Sequence, residues 1–427
     1  MSRQDDEQAR ATTETVARRS YGKLISFLAA RSGDVAGAED ALSTAFAAAL
    51  TGWAGSGVPR NPEAWLLTVA RRKMIDAARL RQSAEGGSIY LQMIADEVEA
   101  AAESDAPIPD DRLRLMFACA HPAIEPSVRA PLMLQTILGF DAGTIGSAFL
   151  VAPATMGQRL VRAKGKIKQA GVPFQVPGRT ELRGRLDAVL EAIYAVFTEG
   201  WADPAGTEAR RRNLAEEGIW LGRLAASLLP EEPEALGLLA LMLHAEARRG
   251  ARRTARGEFV PLANQDPALW DARLIDEAEA LLLCAVSMNA IGRYQLEAAA
   301  QSAHANRRVT GRTDWAAIVQ IYDALLTIID SPVVAINRAV ACAEAGGPAT
   351  GLAALAAIAS DSRLADYQPY WAACAELQAR AGDTAAAQMA YRRAIGLESD
   401  PAVRRFLQQR CDDLRTAVAN GEGSEAC

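Results

Sequence analysis

From residue 181 to residue 418 the sequence is a string of amphipathic segments of helical period, parted by Gly, Pro and Asp-Pro breaks. Apolar residues spaced by three and four give each helix one apolar stripe. The stable way to cover many such stripes is to pack helix on helix. β-Branched residues are sparse, whereas alanine, leucine and arginine are abundant, so local propensity favours helix along the whole chain. The expected fold class is all-α: two small N-terminal helical domains, the second a helix-turn-helix, followed by a C-terminal helical repeat-like domain. Near the end, Ala339, Ala343 and Gly346 recur at a spacing of 36 as Ala375, Ala379 and Gly382. With Tyr391 and Ala394 following, this suits tetratricopeptide-like helix pairs, where small residues allow close approach; alanine-rich helices imitate the same pattern.

The 427 residues suffice for several domains, and the formal net charge of -6 argues against a general nucleic-acid coat protein. Residues 1–20 are polar and charged, without the apolar core of a signal peptide. Apolar runs such as Leu281–Ile291 are too short to span a bilayer, so a cytoplasmic location is expected. The cysteines, Cys119, Cys284, Cys342, Cys374, Cys411 and Cys427, show no disulfide or zinc spacing and read as reduced thiols. Cys119 and His121 resemble a lone ligand pair, but no second pair accompanies them; a packed thiol beside a helix-ending His-Pro is the better reading. His121, His244 and His304 lie far apart, no nucleophile–base–acid set emerges, and no phosphate loop stands in a strand context. No enzyme activity, metal or cofactor is expected.

Residues 5–81 predict three helices. The first ends near Arg31-Ser32-Gly33. The second is capped by Asp34 and sets Leu42, Phe46, Ala49 and Trp53 on one face. The third opens with Asn61-Pro62-Glu63, a cap followed by proline at the first helical position. Residues 82–111 hold eight acids and no lysine or arginine, an acidic linker with one short helix near Tyr90–Ala102. The expected boundaries are a first domain at 1–82, the linker at 83–109, a second domain at 110–175 and a helical extension at 178–420.

Three constellations carry chemistry. Ala142–Phe149, a turn at Leu150-Val151-Ala152 and a helix opening at Pro153 form helix-turn-helix geometry. Thr155, Gln158 and Arg159 stand near the N-terminus of the second helix, where base edges are read, and Arg162, Lys164, Lys166 and Lys168 follow for phosphates. The bland alternative is a solvated basic helix in an ordinary bundle. Gly143, Gly146, Gly157 and Gly165 weaken these helices by roughly 0.5–1 kcal/mol each, which packing or DNA must offset. In the second constellation Trp65 precedes a basic strip of Arg71, Arg72, Lys73, Arg79 and Arg81, with Asp76 one turn from Arg72. Basic side chains beside an aromatic suit a partly melted strand; a cationic solvent-facing helix is the alternative. Third, Glu39 and Asp40 lie opposite the apolar stripe and could dock a basic partner. Two DNA-binding units joined by an acidic linker fit the need to hold two promoter elements at once.

These runs resemble the extracytoplasmic-function group of sigma-70 factors. The resemblance rests on Gly33-Asp34, Ala38-Glu39-Asp40-Ala41-Leu42, Phe46, Ala64-Trp65-Leu66 and Ala70-Arg71-Arg72-Lys73-Met74-Ile75-Asp76. In the second unit it rests on Asp110-Asp111-Arg112-Leu113-Arg114, His121-Pro122-Ala123 and Gln158-Arg159-Leu160-Val161-Arg162-Ala163-Lys164. Gly237-Leu238-Leu239-Ala240-Leu241-Met242 and Gln265-Asp266 are similar to the subgroup with a long helical-repeat extension. The resemblance implies that Glu39, Asp40, Leu42 and Phe46 bind RNA polymerase core. It further implies that Trp65, Arg71, Arg72, Lys73, Arg79 and Arg81 engage the -10 element of promoter DNA. Thr155, Gln158, Arg159, Arg162, Lys164, Lys166 and Lys168 would read the -35 element. The extension would act as an attached regulator that takes a regulatory protein or a ligand, with Arg248, Arg249, Arg252 and Arg253 meeting the acidic linker or merely capping a helix. Ser43-Thr44 stand where many relatives carry Gln and an acid, and an Asp-Gly-Gly-Arg motif of some extended relatives is absent; Arg256-Gly257-Glu258 is the nearest run. The rival readings are a helical-repeat interaction scaffold and a helix-turn-helix regulator independent of polymerase.

Overall fold

The computed structural model describes residues 3–82, 110–149, 151–201 and 209–422. The expected acidic linker, with its short helix near Tyr90–Ala102, lies outside the described residues. Among those described there are nineteen helices and no strand, the all-α class that the sequence predicts. The chain divides into two compact units, residues 1–200 with 213–218, and residues 201–212 with 219–427.

The first unit begins with α1 (Arg3–Ser32), α2 (Val35–Ser56) and α3 (Pro62–Gln82). Gly33 ends α1 with φ 65°, a left-handed conformation that glycine adopts without a Cβ penalty. Asp34 then caps α2, its carboxylate accepting the Gly37 N–H at 3.0 Å, and Asn61 accepts the Ala64 N–H at 3.1 Å at the start of α3. Leu42, Ala45, Ala49 and Trp53 turn inward, and the Trp65 ring stands edge-on to Trp53 at 5.4 Å.

Next in the same unit come α4 (Arg112–Cys119), α5 (Pro126–Leu138), α6 (Ala142–Ala148), α7 (Pro153–Gln169) and α8 (Arg179–Trp201), whose last residue, Trp201, already belongs to the second unit. Helix α1 packs on α4 and α5 as well as on α2 and α3, and α2 packs on α7. At the crossing of α1 and α5 the backbones nearly touch: a Cβ at Gly22 would lie 2.2 Å from the Ile137 carbonyl oxygen. Arg31 clamps the start of α4 through Asp111 at 3.0 Å. Leu186, Val189, Leu190, Ile193 and Val196 of α8 are buried, and Arg185 donates to the Phe117 carbonyl at 2.9 Å.

Of the glycines in the α6–α7 pair, Gly146 has a packing reason. A Cβ at Gly146 would lie 2.6 Å from the Val151 carbonyl oxygen, and the Val151 N–H bonds back to the Gly146 carbonyl at 2.8 Å. Glycine is what lets the turn close on the helix.

The second unit holds α10 (Pro233–Ala247), α11 (Ala272–Ser287), α12 (Arg293–Ala305), the single turn α13 (Arg307–Thr310) and α14 (Trp315–Ile328). It continues with α15 (Pro332–Gly346), α16 (Pro348–Ala357), α17 (Gln368–Arg380), α18 (Thr384–Leu397) and α19 (Pro401–Glu422). Helix α9 (Ala209–Leu228) contributes residues to both units. Helices α15 and α16 form one neighbour pair in sequence and contact, α17 and α18 the next. A Cβ at Gly351 would meet Ala343 Cβ at 2.5 Å, so small residues do set the spacing in the first pair. Gly347 and Gly382 end the leading helices with φ 92° and 86°.

Candidate nucleic-acid interface

Thr155, Gln158, Arg159, Arg162, Lys166 and Lys168 are exposed on α7, while Met156, Leu160, Ala163 and Ile167 are buried on its other face. The spacing of three and four residues among the buried set leaves one continuous basic face outward. Arg159, Arg162 and Lys166 line a groove of about 240 Å³ with Ile124 and Val128. Proline at the first turn needs no N–H partner, so Pro153 starts α7 without loss.

Lys164 departs from its neighbours. Its ammonium donates to the Glu39 carboxylate of α2, and Lys168 likewise donates to Asp34 at 2.5 Å. Burial raises the Glu39 carboxyl above its usual range, and Asp40 adds to this; Lys164 opposes it. Burial also lifts the Tyr21 phenol far above its ordinary value, with a further push from Glu39. Residues expected to touch polymerase and residues expected to touch the -35 element are therefore brought together within one unit.

On α2, Asp40 is exposed and Phe46 half-buried. Leu42 is fully buried in the free chain. Its burial stabilises the three-helix core by about 1.5–3 kcal/mol. On α3, Arg72 and Lys73 are exposed, and Arg71 and Trp65 are half-buried. Arg79 and Arg81 belong to α3, but their side chains lie outside the described residues. Arg72 and Asp76 share an exposed face without an ion pair between them among the described residues.

Burial pushes the Cys119 thiol up to about 12 and it sits 3.5 Å from Thr136 Oγ1, while His121 Nδ1 accepts the Ala123 N–H at 3.1 Å in a local turn.

Residues 16–84 match the family model for sigma-70 region 2. The chain carries a sigma-70 region 2 at these residues. Residues 185–286 match a family of unknown function (DUF6596). The chain is also 37% identical over 387 residues to an uncharacterised protein of Rhizobium meliloti (strain 1021), covering 90% of this chain and 91% of that one, and belongs to one family with it. No solved structure matches. A sigma-70 region 2 implies promoter recognition with RNA polymerase core. No described helix is long and apolar enough to cross a membrane.

The arginines of the extension form no open strip. Arg248 is buried, and Arg249 donates to Glu246 at 2.8 Å. Arg252 donates to the Trp201 carbonyl at 3.1 Å and stacks over its ring at 4.4 Å, and Arg253 pairs with Asp400. Sequence alone marks them as a basic run; only the tertiary fold shows that each is already engaged inside its own unit.

Proposed function

We propose that this protein is an extracytoplasmic-function-type sigma-70 factor that works in the cytoplasm and directs RNA polymerase core to specific promoters. The observation that carries this reading is the co-occurrence of region 2 at residues 16–84 with a second basic reading helix, α7, in the same unit. Arg71, Arg72, Lys73, Arg79 and Arg81 grip the -10 element beside Trp65. Thr155, Gln158 and Arg159 read the -35 element, with Arg162, Lys166 and Lys168 on phosphates. Glu39, Asp40 and Phe46 face the polymerase core. The α15–α18 pairs act as a tetratricopeptide-like scaffold, and the extension regulates the promoter-binding unit.

Under this reading the arrangement with Lys164 on Glu39 is a resting form. Core polymerase and promoter DNA compete for the same two side chains that the protein joins internally. The experiment is transcription from a promoter library with purified core. Full-length protein supports promoter-specific initiation, and a chain ending at Gly218, which keeps α8 with the first unit, changes the output. A protein that fails to recover core polymerase in a pull-down sinks the reading in favour of a scaffold or a polymerase-independent regulator.

A further inference from the structure

We infer that the extension contains a binding site for a small organic anion, a carboxylate or phosphate ester on a flat apolar body, in the cavity between Arg248, Arg307, Trp270 and Trp315. The cavity encloses about 580 Å³ within the second unit, a volume suited to a small-molecule ligand.

Its cationic lining is unbalanced. Arg248 follows α10 directly and is only 9% exposed; one Nη donates to Gln301, and Nη1 has no hydrogen-bond partner. Arg307 spends its two Nη groups on the carbonyls of Ala263 (2.8 Å), Leu262 (3.2 Å) and Gln265 (2.7 Å). Its Nε is buried without a partner, as is Trp270 Nε1. Neither guanidinium forms an ion pair among the described residues. Arg312 adds a third cation at the exposed rim.

The nearby acids do not answer this charge. Glu344, which lines the cavity, is paired with Arg380. Glu297, close enough to raise Tyr322, is paired with Arg293 at 2.7 Å. A buried cation without a counter-charge is unfavourable, and a guanidinium cannot escape by losing its proton. Burial and the neighbouring cations leave Arg248 pushed down to about 10, still charged at neutral pH. An anion supplied from outside is the remaining compensation, and Arg248, Arg307 and Trp270, the side chains that carry these unpartnered donors, line the cavity that would hold it.

The other walls define the rest of the ligand. Trp270 lies under the Arg307 guanidinium at 5.1 Å, and Trp315 meets His304 edge-on at 5.3 Å. Ile318 and Val340 complete an apolar surface that takes a planar group. Burial, then Arg248 and Arg307, push His304 down to about 4, so it offers a neutral ring and adds no charge of its own. This inference stands on the cavity alone and does not depend on the promoter reading.

Titration calorimetry of the full chain with benzoate, phenyl phosphate, inorganic phosphate and neutral benzamide tests it. Benzoate or phenyl phosphate binds, benzamide does not, and whichever aryl anion wins tells carboxylate from phosphate chemistry. Arg307→Gln weakens the bound anion by roughly 10- to 100-fold, the loss expected of a charged hydrogen bond. Because Arg307 also holds a loop, Val340→Phe, which fills the cavity from the apolar wall, gives the second measure and abolishes aryl binding in a protein whose circular dichroism melt is normal. Benzamide binding as well as benzoate, anion binding unaltered in the folded variants, or no binding by any of these anions overturns the site.

Discussion

Lys164 and Glu39, 125 residues apart in sequence, are joined by an ammonium–carboxylate hydrogen bond in which the two side chains are only 10% and 13% exposed. Such a pair contributes little net stability when intact, yet removing one partner strands the other in a poorly hydrated place. Lys164→Met should therefore destabilise the first unit by about 1–3 kcal/mol at neutral pH, while Glu39→Gln with Lys164→Met should recover most of that loss. Urea unfolding of the two variants against the wild type measures this. A double variant no better than the single one refutes it.

The same pair sets a pH dependence. Burial holds the Glu39 carboxyl above its usual range, so the folded state keeps that proton more tightly than the unfolded state. Stability from the protonated carboxyl is thus present at acid pH and lost as pH rises through the raised value. Lys164→Met removes the opposing cation, so its deficit should be small near pH 4 and grow toward neutrality, whereas Glu39→Gln should flatten this part of the profile. Melting temperatures across that interval decide it; a pH-independent deficit contradicts the assignment.

Two glycines give opposite outcomes. Gly22→Ala drives a Cβ to 2.2 Å from the Ile137 carbonyl oxygen, backbone that cannot yield, and should cost about 1–3 kcal/mol or more. Gly52→Ala on α2 meets nothing within 4 Å and should stabilise by about 0.5–1 kcal/mol through helix propensity. Thermal denaturation of both reads the signs directly, and equal effects would mean that α1 and α5 do not cross as described.

Along α7 the two ends should respond differently to DNA. Arg159→Ala should cost about 1–3 kcal/mol on a cognate -35 sequence and much less on scrambled DNA, if its guanidinium reads a base. Lys166→Ala should weaken both alike and reduce the salt slope by about one. Anisotropy titrations at several salt concentrations separate the cases. Identical losses on both DNAs for both variants would remove α7 from the reading role.

Local structure was legible before any fold was known. Asp34 as a cap, Asn61-Pro62 as a start and the Gly33 stop are settled by side chains within a few residues, and the structure follows them. The inward stripe of α2 was legible too, but not that Leu42 would be wholly inside and Phe46 only partly. Periodicity names a face and not the depth at which each residue sits. The Lys164–Glu39 and Lys168–Asp34 pairs were illegible because charge pairing across more than a hundred residues leaves no spacing signal. Arg248 read as one of four similar arginines; only packing sets it apart as the buried one.

Asp34 serves both Gly37 and Lys168, and the ion pairs that Asp34 and Glu39 make with α7 are unequal as a result. When Lys168 leaves, the Asp34 carboxylate still accepts the Gly37 N–H and still faces the positive end of α2. When Lys164 leaves, Glu39 loses its ammonium, and its Oε1 already has no hydrogen-bond partner. Separation should therefore begin at the Asp34 end as a frequent, nearly neutral fluctuation. It should complete at Glu39 only when another cation arrives to replace Lys164, so the arriving partner selects the moment of opening and random thermal motion does not.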